Sequence, residues 1–293
     1  MNRTTRQKVA ILTGTSAGIG KAAARALLAQ GWRVIGVGRD PARCAAAKAE
    51  LRTVPGADFT MMRADLSLLS ETARVAEEIG RMTPVIDALL NNAGGVYAER
   101  IMTPEGHEAT FASNHLAPFL LTQKLMPQLK AAAALAEPGA ESRNVRVVAV
   151  SSTGHEQSTG INWDDLTFAD GFVGGSAYCH AKLANILFAR ELARRVAGDG
   201  ILSHAMHPGV VDSNFASHCD GPMQAYMESI KDRSMTPEAA ADTLVWLATA
   251  REAGQSSGGY YHQRQTLTPS AAAQDDEAAR RLWAVSEALV ADY

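Results

Sequence analysis

The sequence predicts a single α/β domain in which a mainly parallel sheet of seven strands is covered by helices on both faces. Short runs rich in Val, Ile and Leu alternate with longer alanine-rich segments of helical character, which is typical of such a sheet. No internal repeat and no long Pro/Gly/Ser linker divides the chain. The hydrophobic fraction of 46%, with 20% charged residues, suits a large buried core. We therefore expect one domain over residues 1–293.

The strands and helices are predicted from the apolar runs and from the residues that flank them. Gly31 follows the first helix as a left-handed cap, and Thr236 with Pro237 supplies an N-cap and a first-turn proline for the sixth helix. The predicted strands are 9–12, 33–37, 59–63, 86–91, 145–151 and 201–207, with a seventh near 259–262. The predicted helices are 19–30, 41–52, 70–81, 104–130, 177–196, 237–250 and 275–290.

Composition excludes several classes of function. A formal charge of -3 with no long basic run argues against a nucleic-acid partner. Three widely separated cysteines and eight histidines without ligand spacing indicate neither disulfides nor a metal site. No apolar run reaches the roughly 18 residues of a membrane span, so we expect no membrane anchor. A cytoplasmic location fits this composition.

A glycine-rich turn joins the first strand to the first helix. It runs from Thr13 to Gly20 with the spacing Gly-x-x-x-Gly-x-Gly. Glycines in such a turn let backbone N–H groups approach a pyrophosphate at the helix N-terminus. The spacing departs from Gly-x-Gly-x-x-Gly, and the turn alone could be an ordinary tight turn. Its place between strand and helix favours dinucleotide binding.

Tyr178 and Lys182 lie four residues apart, on one face of a predicted helix. At about 4 Å and an effective dielectric near 20 their attraction is roughly 4 kcal/mol, or about three pKa units. That would bring the pKa of a phenol from about 10 to about 7, where it can exchange a proton near neutral pH. The alternative is an ordinary amphipathic helix face.

Further motifs occur along the chain before and after Tyr178 and Lys182. They are Asp65 after the third strand, Asn91–Gly94 after the fourth, Asn114 in a helix, Ser152 after the fifth strand, and Pro208–Gly209 with Ser213 after the sixth. Together they resemble the NAD(P)-dependent short-chain dehydrogenase/reductase family across nearly the whole chain. Residues 177–187, 207–211 and 279–283 resemble its retinol dehydrogenase-like branch, as does the separation of 26 positions between Ser152 and Tyr178.

The resemblance implies a Rossmann-type, doubly wound sheet with the cofactor at its carboxyl edge. It implies a catalytic group made of Asn114, Ser152, Tyr178 and Lys182. Ser213 stands where many members have threonine, and it keeps the hydroxyl. The implied cofactor-binding residues are Gly14, Thr15, Ser16, Gly18, Ile19, Gly20, Arg39, Asp65, Leu66, Asn92, Ala93, Gly94, Tyr178, Lys182, Pro208, Gly209, Val211 and Ser213.

The end of the second strand predicts NADP(H) as the cofactor, with NAD(H) as the alternative. Enzymes that select NAD(H) commonly place an acidic residue there to bind the adenosine ribose. This chain has Gly38 at that position, followed by Arg39, whose guanidinium can pair with a 2′-phosphate. In the alternative interpretation, Arg39 lies in solvent and Asp40 binds the ribose.

The branch resemblance implies a lipophilic small-molecule substrate that is retinoid-, steroid- or aromatic-like. Residues 213–234 lack clean periodicity and are rich in methionine and aromatics, so they are a candidate substrate lid, or else a short packed helix. The predicted helices 104–130 and 177–196 could form an intersubunit bundle in a homodimer or homotetramer, or simply face the core. Two other functions stay open: a dinucleotide-binding regulator or scaffold without turnover, and a related epimerase or dehydratase.

Overall fold

The computed structural model describes residues 6–135, 145–211 and 221–293. Its eight-stranded sheet has the order β3-β2-β1-β4-β5-β6-β7-β8. Every neighbouring pair from β3 to β7 is parallel, and β8 is antiparallel to β7. The strands are β1 Val9–Thr13, β2 Arg33–Gly38, β3 Asp58–Arg63, β4 Ala88–Asn91, β5 Val145–Val150, β6 Ile201–Met206, β7 Tyr260–His262 and β8 Gln265–Leu267.

Helices pack on both faces of this sheet, which confirms the predicted fold class. One face is covered by α1, α2 and α8, and the other by α3, α5, α6 and α9. The helices are α1 Gly18–Ala29, α2 Pro41–Leu51, α3 Leu69–Met82, α4 Ala109–Phe111, α5 Ala117–Ala134, α6 Gly174–Arg195, α7 Gly221–Ser229, α8 Pro237–Thr249 and α9 Asp276–Leu289. The central strands β1, β4 and β5 are buried throughout, as their continuous apolar sequences require.

The direction of winding reverses between β1 and β4. The chain moves outward from β1 through β2 to β3, then returns to place β4 on the other side of β1. A crevice forms at such a switch point, outside the carboxyl ends of the strands. This topology brings the loops after β1, β4 and β5 to one edge of the sheet.

The sheet has one strand more than the seven predicted. Strand β8 follows β7 through a two-residue turn in which Gln263 and Arg264 both have positive φ, 47° and 61°. Such a turn normally carries Asn and Gly, so the sequence holds no hairpin signal. Arg264 is held instead by Thr243, whose hydroxyl accepts its N–H, and by an ion pair with Asp242.

The predicted helix 104–130 begins later than expected and is not regular. Met102 pairs with Glu108 in an isolated antiparallel bridge, so the chain turns back through Gly106 before the helix starts. The carboxylate of Glu108 accepts the N–H groups of Thr110 and Phe111 and caps α4. A five-residue π-helical segment, Ala112–Leu116, then separates α4 from α5. By contrast, the predicted caps are confirmed: Gly31 has φ 79°, and the Thr236 hydroxyl accepts the N–H of Ala239.

The C-terminal helix α9 covers the outer surface of α5 and α6. Trp283 lies 4.9 Å from the Phe119 ring and stacks on Phe188 at 6.0 Å between centroids. Asp276 pairs with Arg190 and Arg194 of α6. The apolar faces that could form an intersubunit bundle are therefore covered within the chain. Among the helices of the described residues, none is long and apolar enough to cross a membrane.

Candidate active site

A cleft of about 1260 Å³ opens at the carboxyl edge of the sheet. It is larger than the roughly 300–1,000 Å³ of a typical small-molecule pocket, so it can hold a dinucleotide and a substrate together. Most of the predicted cofactor-binding residues line it: Gly14, Ser16, Gly18, Ile19, Gly20, Arg39, Asp65, Leu66, Asn92, Ala93, Gly94, Tyr178, Lys182, Pro208, Gly209 and Val211. Ser152 lines the same cleft. Ser213 lies outside the described residues.

The glycine-rich turn is folded as its residues require. Gly14 and Gly18 have φ of 74° and 54°, a left-handed conformation that glycine adopts without steric cost. A Cβ on Gly20 would collide with the carbonyl oxygen of Gly14. Within residues 6–135, 145–211 and 221–293, no side chain caps the N-terminus of α1, and its first turn has no acidic residue. Its N–H groups can therefore receive an anion.

Thr13 fixes the turn against the end of β4. Its hydroxyl accepts the N–H groups of Asn92 and Ala93 at 3.0 and 2.9 Å, and its carbonyl accepts from the Asn92 amide at 2.8 Å. Thr15 is turned the other way. Its side chain is fully buried, donates to Leu12 O at 2.6 Å and does not line the cleft.

The end of β2 has no room for a side chain at residue 38. A Cβ on Gly38 would lie 2.6 Å from Cys44 Sγ and 3.1 Å from Ser16 Cβ. Arg39 extends into the cleft and donates to the Tyr97 hydroxyl at 3.0 Å. Asp40 caps α2, because its Oδ1 accepts the N–H of Arg43 at 2.8 Å.

Tyr178 and Lys182 lie on α6 with the lysine ammonium 5.3 Å from the centroid of the tyrosine ring. Lys182 is buried, and its Nζ donates to Val150 O at 3.0 Å. Burial lowers the pKa of Lys182 to about 8. The ammonium therefore carries a weakly compensated positive charge beside the phenol, which favours the phenolate.

Asn114 lies in the π-helical segment and is fully buried behind the cleft. Its Nδ2 donates to Gly95 O at 2.9 Å and to Thr110 O at 2.8 Å, and its Oδ1 accepts from Gly95 N at 3.2 Å. A Cβ on Gly94 would lie 2.5 Å from Asn114 Oδ1 and 3.1 Å from Lys182 Nζ. Asn114 and Lys182 thus face the same small volume beside Gly94. Such π-helical segments are frequent at functional sites.

Ser152 begins a short 3₁₀ helix, Thr153–Gln157, just after β5. Gly154 N–H donates to Ser152 Oγ at 3.1 Å, so the hydroxyl hydrogen remains able to donate to another acceptor. The backbone of Ser152 is fixed by His155, which is fully buried and contacts Ser152 O through Nδ1 at 2.7 Å. Ser270 N–H donates to His155 Nε2 at 3.1 Å, which leaves the ring hydrogen on Nδ1.

The sequence reasoning missed several residues that line the cleft. Tyr97, Phe168 and Val173 belong to no motif in the sequence. His207 stands in the 207–211 motif and directly after β6, but it was not predicted as a site residue. Burial lowers the pKa of His207 to about 4, with further contributions from His262 and His155, so this ring is neutral at pH 7.

The cleft suits a nicotinamide dinucleotide on its own geometry. The start of α1 and the open space beside Gly18 fit a pyrophosphate, and Arg39 and Asp65 line the same cleft. The buried Lys182 beside Tyr178 lines this cleft as well. Fold and site together define the class: an oxidoreductase that uses a nicotinamide dinucleotide.

Comparisons with known proteins agree with this class. The family described as short chain dehydrogenase matches residues 8–221. Human retinol dehydrogenase 14 is 33% identical, over 97% of this chain and 86% of that protein. A protein of Streptomyces sp. (strain C5), provisionally named daunorubicin C-13 ketoreductase DnrU, is 34% identical over 97% of this chain and 93% of its own length. The solved RhlG/NADP active-site complex of Pseudomonas aeruginosa is 28% identical with a TM-score of 0.68, covering 86% of this chain and 93% of that one.

The chain belongs to the short-chain dehydrogenase family, within its retinol dehydrogenase-like branch. It is an NAD(P)-dependent oxidoreductase that acts on CH–OH or C=O groups.

Proposed function

We propose that this protein is an NADP(H)-dependent enzyme that interconverts an alcohol with a ketone or aldehyde on a lipophilic substrate, using Tyr178 for proton transfer. The observation that carries this proposal is the convergence of Tyr178, Lys182 and Ser152 on one cleft, with Lys182 buried beside the phenol. The full set of proton-transfer groups argues against a regulator or scaffold without turnover. An epimerase or dehydratase would leave no net oxidation or reduction of the cofactor, so a change in nicotinamide absorbance with substrate distinguishes the proposed reaction from both.

In this proposal, Ser152 and Tyr178 hydrogen-bond the substrate oxygen, and Tyr178 delivers its proton during reduction and receives it during oxidation. The bound cofactor supplies or accepts the hydride. Lys182 stabilises the phenolate and binds the nicotinamide ribose hydroxyls. Asn114 holds a water that connects Lys182 with solvent; Gly94 supports this role, since it adds no side chain between the two.

Replacing Tyr178 by Phe tests the proposal. The variant keeps the ring and loses the proton donor, so kcat should fall by about 10² to 10⁴-fold with cofactor affinity retained. Turnover would be followed by absorbance of the reduced nicotinamide in a screen of retinoid, steroid, aromatic and aliphatic alcohols and ketones. Tyr293→Phe, which removes a hydroxyl outside the cleft, is the matched control. Wild-type turnover in Tyr178→Phe contradicts the role.

The preference for NADP(H) is supported by three features at the end of β2. Gly38 cannot accept an acidic side chain without displacing Cys44. Arg39 and Asp40 both line the cleft, but the Asp40 carboxylate is engaged as the cap of α2 through Arg43 N–H. A charge-assisted bond from Arg39 to a 2′-phosphate, at roughly 1.5 to 3 kcal/mol, corresponds to about a 10 to 150-fold preference.

Kinetics with both cofactors test this preference. Arg39→Ala should raise the KM for NADP(H) and leave that for NAD(H) nearly unchanged. Asp40→Asn keeps a capping side chain and removes the charge, so it should spare NAD(H) as well. A wild-type kcat/KM as high for NAD(H) as for NADP(H) overturns the preference. So does weaker NAD(H) binding by Asp40→Asn, which would make Asp40 the ribose partner.

Residues 213–234 are proposed as a lid over the substrate. Ile230 supports this proposal because it lines the cleft, whereas residues 213–220 lie outside the described part of the chain. Hydrogen exchange in the lid should slow when cofactor and a turned-over substrate bind. A homodimer or homotetramer is also proposed, and light scattering measures its size. A cytoplasmic location is supported by the free thiols of Cys44 and Cys179 and is testable by fractionation.

A further inference from the structure

Phe168 adopts a backbone conformation that a phenylalanine rarely takes. Its φ is 51°, in the left-handed region where a bulky side chain is strained. Its ring is half-buried and lines the cleft, in the long loop between β5 and α6. Strain of this kind persists where the surroundings impose it, and it clusters at ligand-binding sites.

Two neighbouring side chains impose this conformation. The Asp165 carboxylate accepts the N–H of Thr167 at 3.1 Å and its hydroxyl at 2.8 Å, and the N–H of Asp170 at 3.4 Å. Arg100, from the loop after β4, donates to Thr167 O at 2.9 Å and to its hydroxyl at 3.3 Å. The turn around Phe168 is therefore fixed from both sides.

The ring of Phe168 packs against His180, which lies between Tyr178 and Lys182 on α6, two residues from each. The two rings meet edge to face with centroids 5.2 Å apart. His180 is buried and its Nε2 accepts the N–H of Asn162, and burial lowers its pKa to about 4, so it is a neutral ring. Val173, which is 48% exposed, adds a second apolar side chain to the lining of the cleft.

We propose that Phe168 is a specificity-determining residue that selects substrates with a flat aromatic or polyunsaturated body by packing against that body in the cleft. A fixed ring adds stacking or edge-to-face contact to a flat substrate, beyond the apolar burial that a flexible chain also gains. The inference deepens the proposed function and rests on it. It assigns the strained turn to the recognition of the substrate rather than to the chemistry.

Specificity kinetics test this inference with two ketones of equal carbon number, 2-acetylnaphthalene and 2-dodecanone. The kcat/KM for 2-acetylnaphthalene divided by that for 2-dodecanone should fall about 2- to 13-fold in Phe168→Leu. This range corresponds to the loss of one aromatic contact. Phe168→Tyr keeps the ring and should keep the ratio. Phe172→Leu is the matched control, because Phe172 contacts the Phe168 ring at 6.5 Å but does not line the cleft.

The strain has a separate test that needs no substrate. Phe168→Gly and Phe168→Ala both remove the ring, and they differ in how well they tolerate a positive φ. The glycine variant should unfold at the higher temperature, by about 2–4 °C, which reverses the usual order of the two residues. An alanine variant as stable as the glycine variant overturns the assignment of strain.

Calorimetry of 2-acetylnaphthalene binding in the presence of NADP⁺ separates this inference from the proposed function. If binding weakens in Phe168→Leu while no ketone or alcohol is turned over, the proposed function fails, although the contact of Phe168 with a flat aromatic ligand is retained. If turnover is normal but the ratio is unchanged in Phe168→Leu, or falls equally in Phe172→Leu, the specificity role fails alone. Absence of binding to the wild-type protein also overturns it.

Discussion

Replacing Lys182 by Met should abolish turnover and yet stabilise the protein without cofactor. Burial lowers the pKa of Lys182 from 10.5 to about 8, so the unfolded chain binds this proton more tightly than the native protein. Below pH 8 both states are protonated and the native state bears the full cost of the buried charge. As the pH rises from about 8 towards 10.5, the native lysine becomes neutral and that cost fades.

The size of the effect follows from the contacts of Lys182. A depression from 10.5 to about 8 corresponds to a cost of about 3 kcal/mol at pH 7. Methionine removes this cost and loses the hydrogen bond to Val150 O, worth about 1 kcal/mol. Val150 O stays paired, because Asn185 Nδ2 also donates to it at 3.2 Å. The net gain is about 2 kcal/mol, or a rise in Tm of roughly 4–8 °C.

Urea unfolding at pH 7 and pH 9.5, without cofactor, measures this gain. Lys182→Met should be the more stable protein at pH 7, and the difference should shrink at pH 9.5. Lys130→Met is the control, because the Lys130 side chain is 56% exposed and its replacement removes no buried charge. A Lys182→Met variant that is less stable at pH 7, or whose advantage is equal at both pH values, refutes the reasoning.

Three further predictions concern the groups that support the site. His155→Leu should lower kcat more than it raises KM, because it removes the hydrogen bond to Ser152 O. His155→Asn retains a donor and should recover part of the lost kcat. Equal kcat in the wild-type protein and both variants contradicts this prediction. Gly94→Ala should lower kcat while the fold is retained, because the methyl group meets Asn114 and Lys182; circular dichroism and kinetics distinguish this from unfolding. Trp283→Ala should lower the free energy of unfolding in urea by about 3–5 kcal/mol. It should also expose the surface of α5 and α6, so light scattering should detect association of the variant. A variant that stays monomeric with wild-type stability contradicts this prediction.

The strands of the sheet could be predicted because their burial is visible in the local pattern of apolar residues. The central parallel strands are buried and need continuous apolar runs, and all seven predicted strands end within two residues of their observed ends. Strand β8 could not be predicted, because Gln263 and Arg264 carry no hairpin signal and Arg264 is held in the turn by Asp242 and Thr243 of α8. The start of the helix near residue 104 was wrong for a related reason: the bridge between Met102 and Glu108 joins residues with no strand pattern.

The site also contains residues that the sequence could place and one residue whose position it could not explain. Residues at strand ends, such as Asn92 and Ser152, line the cleft because the parallel topology carries all carboxyl ends to one edge. Asn114 is different, because it reaches the site from within a helix. Its amide is turned towards Gly95 by a π-helical segment, and no sequence signal predicts that segment. A regular helix would add residues at 3.6 per turn and point this side chain elsewhere. The position of Asn114 beside Lys182 therefore depends on an irregular backbone, which a motif can mark but periodicity cannot explain.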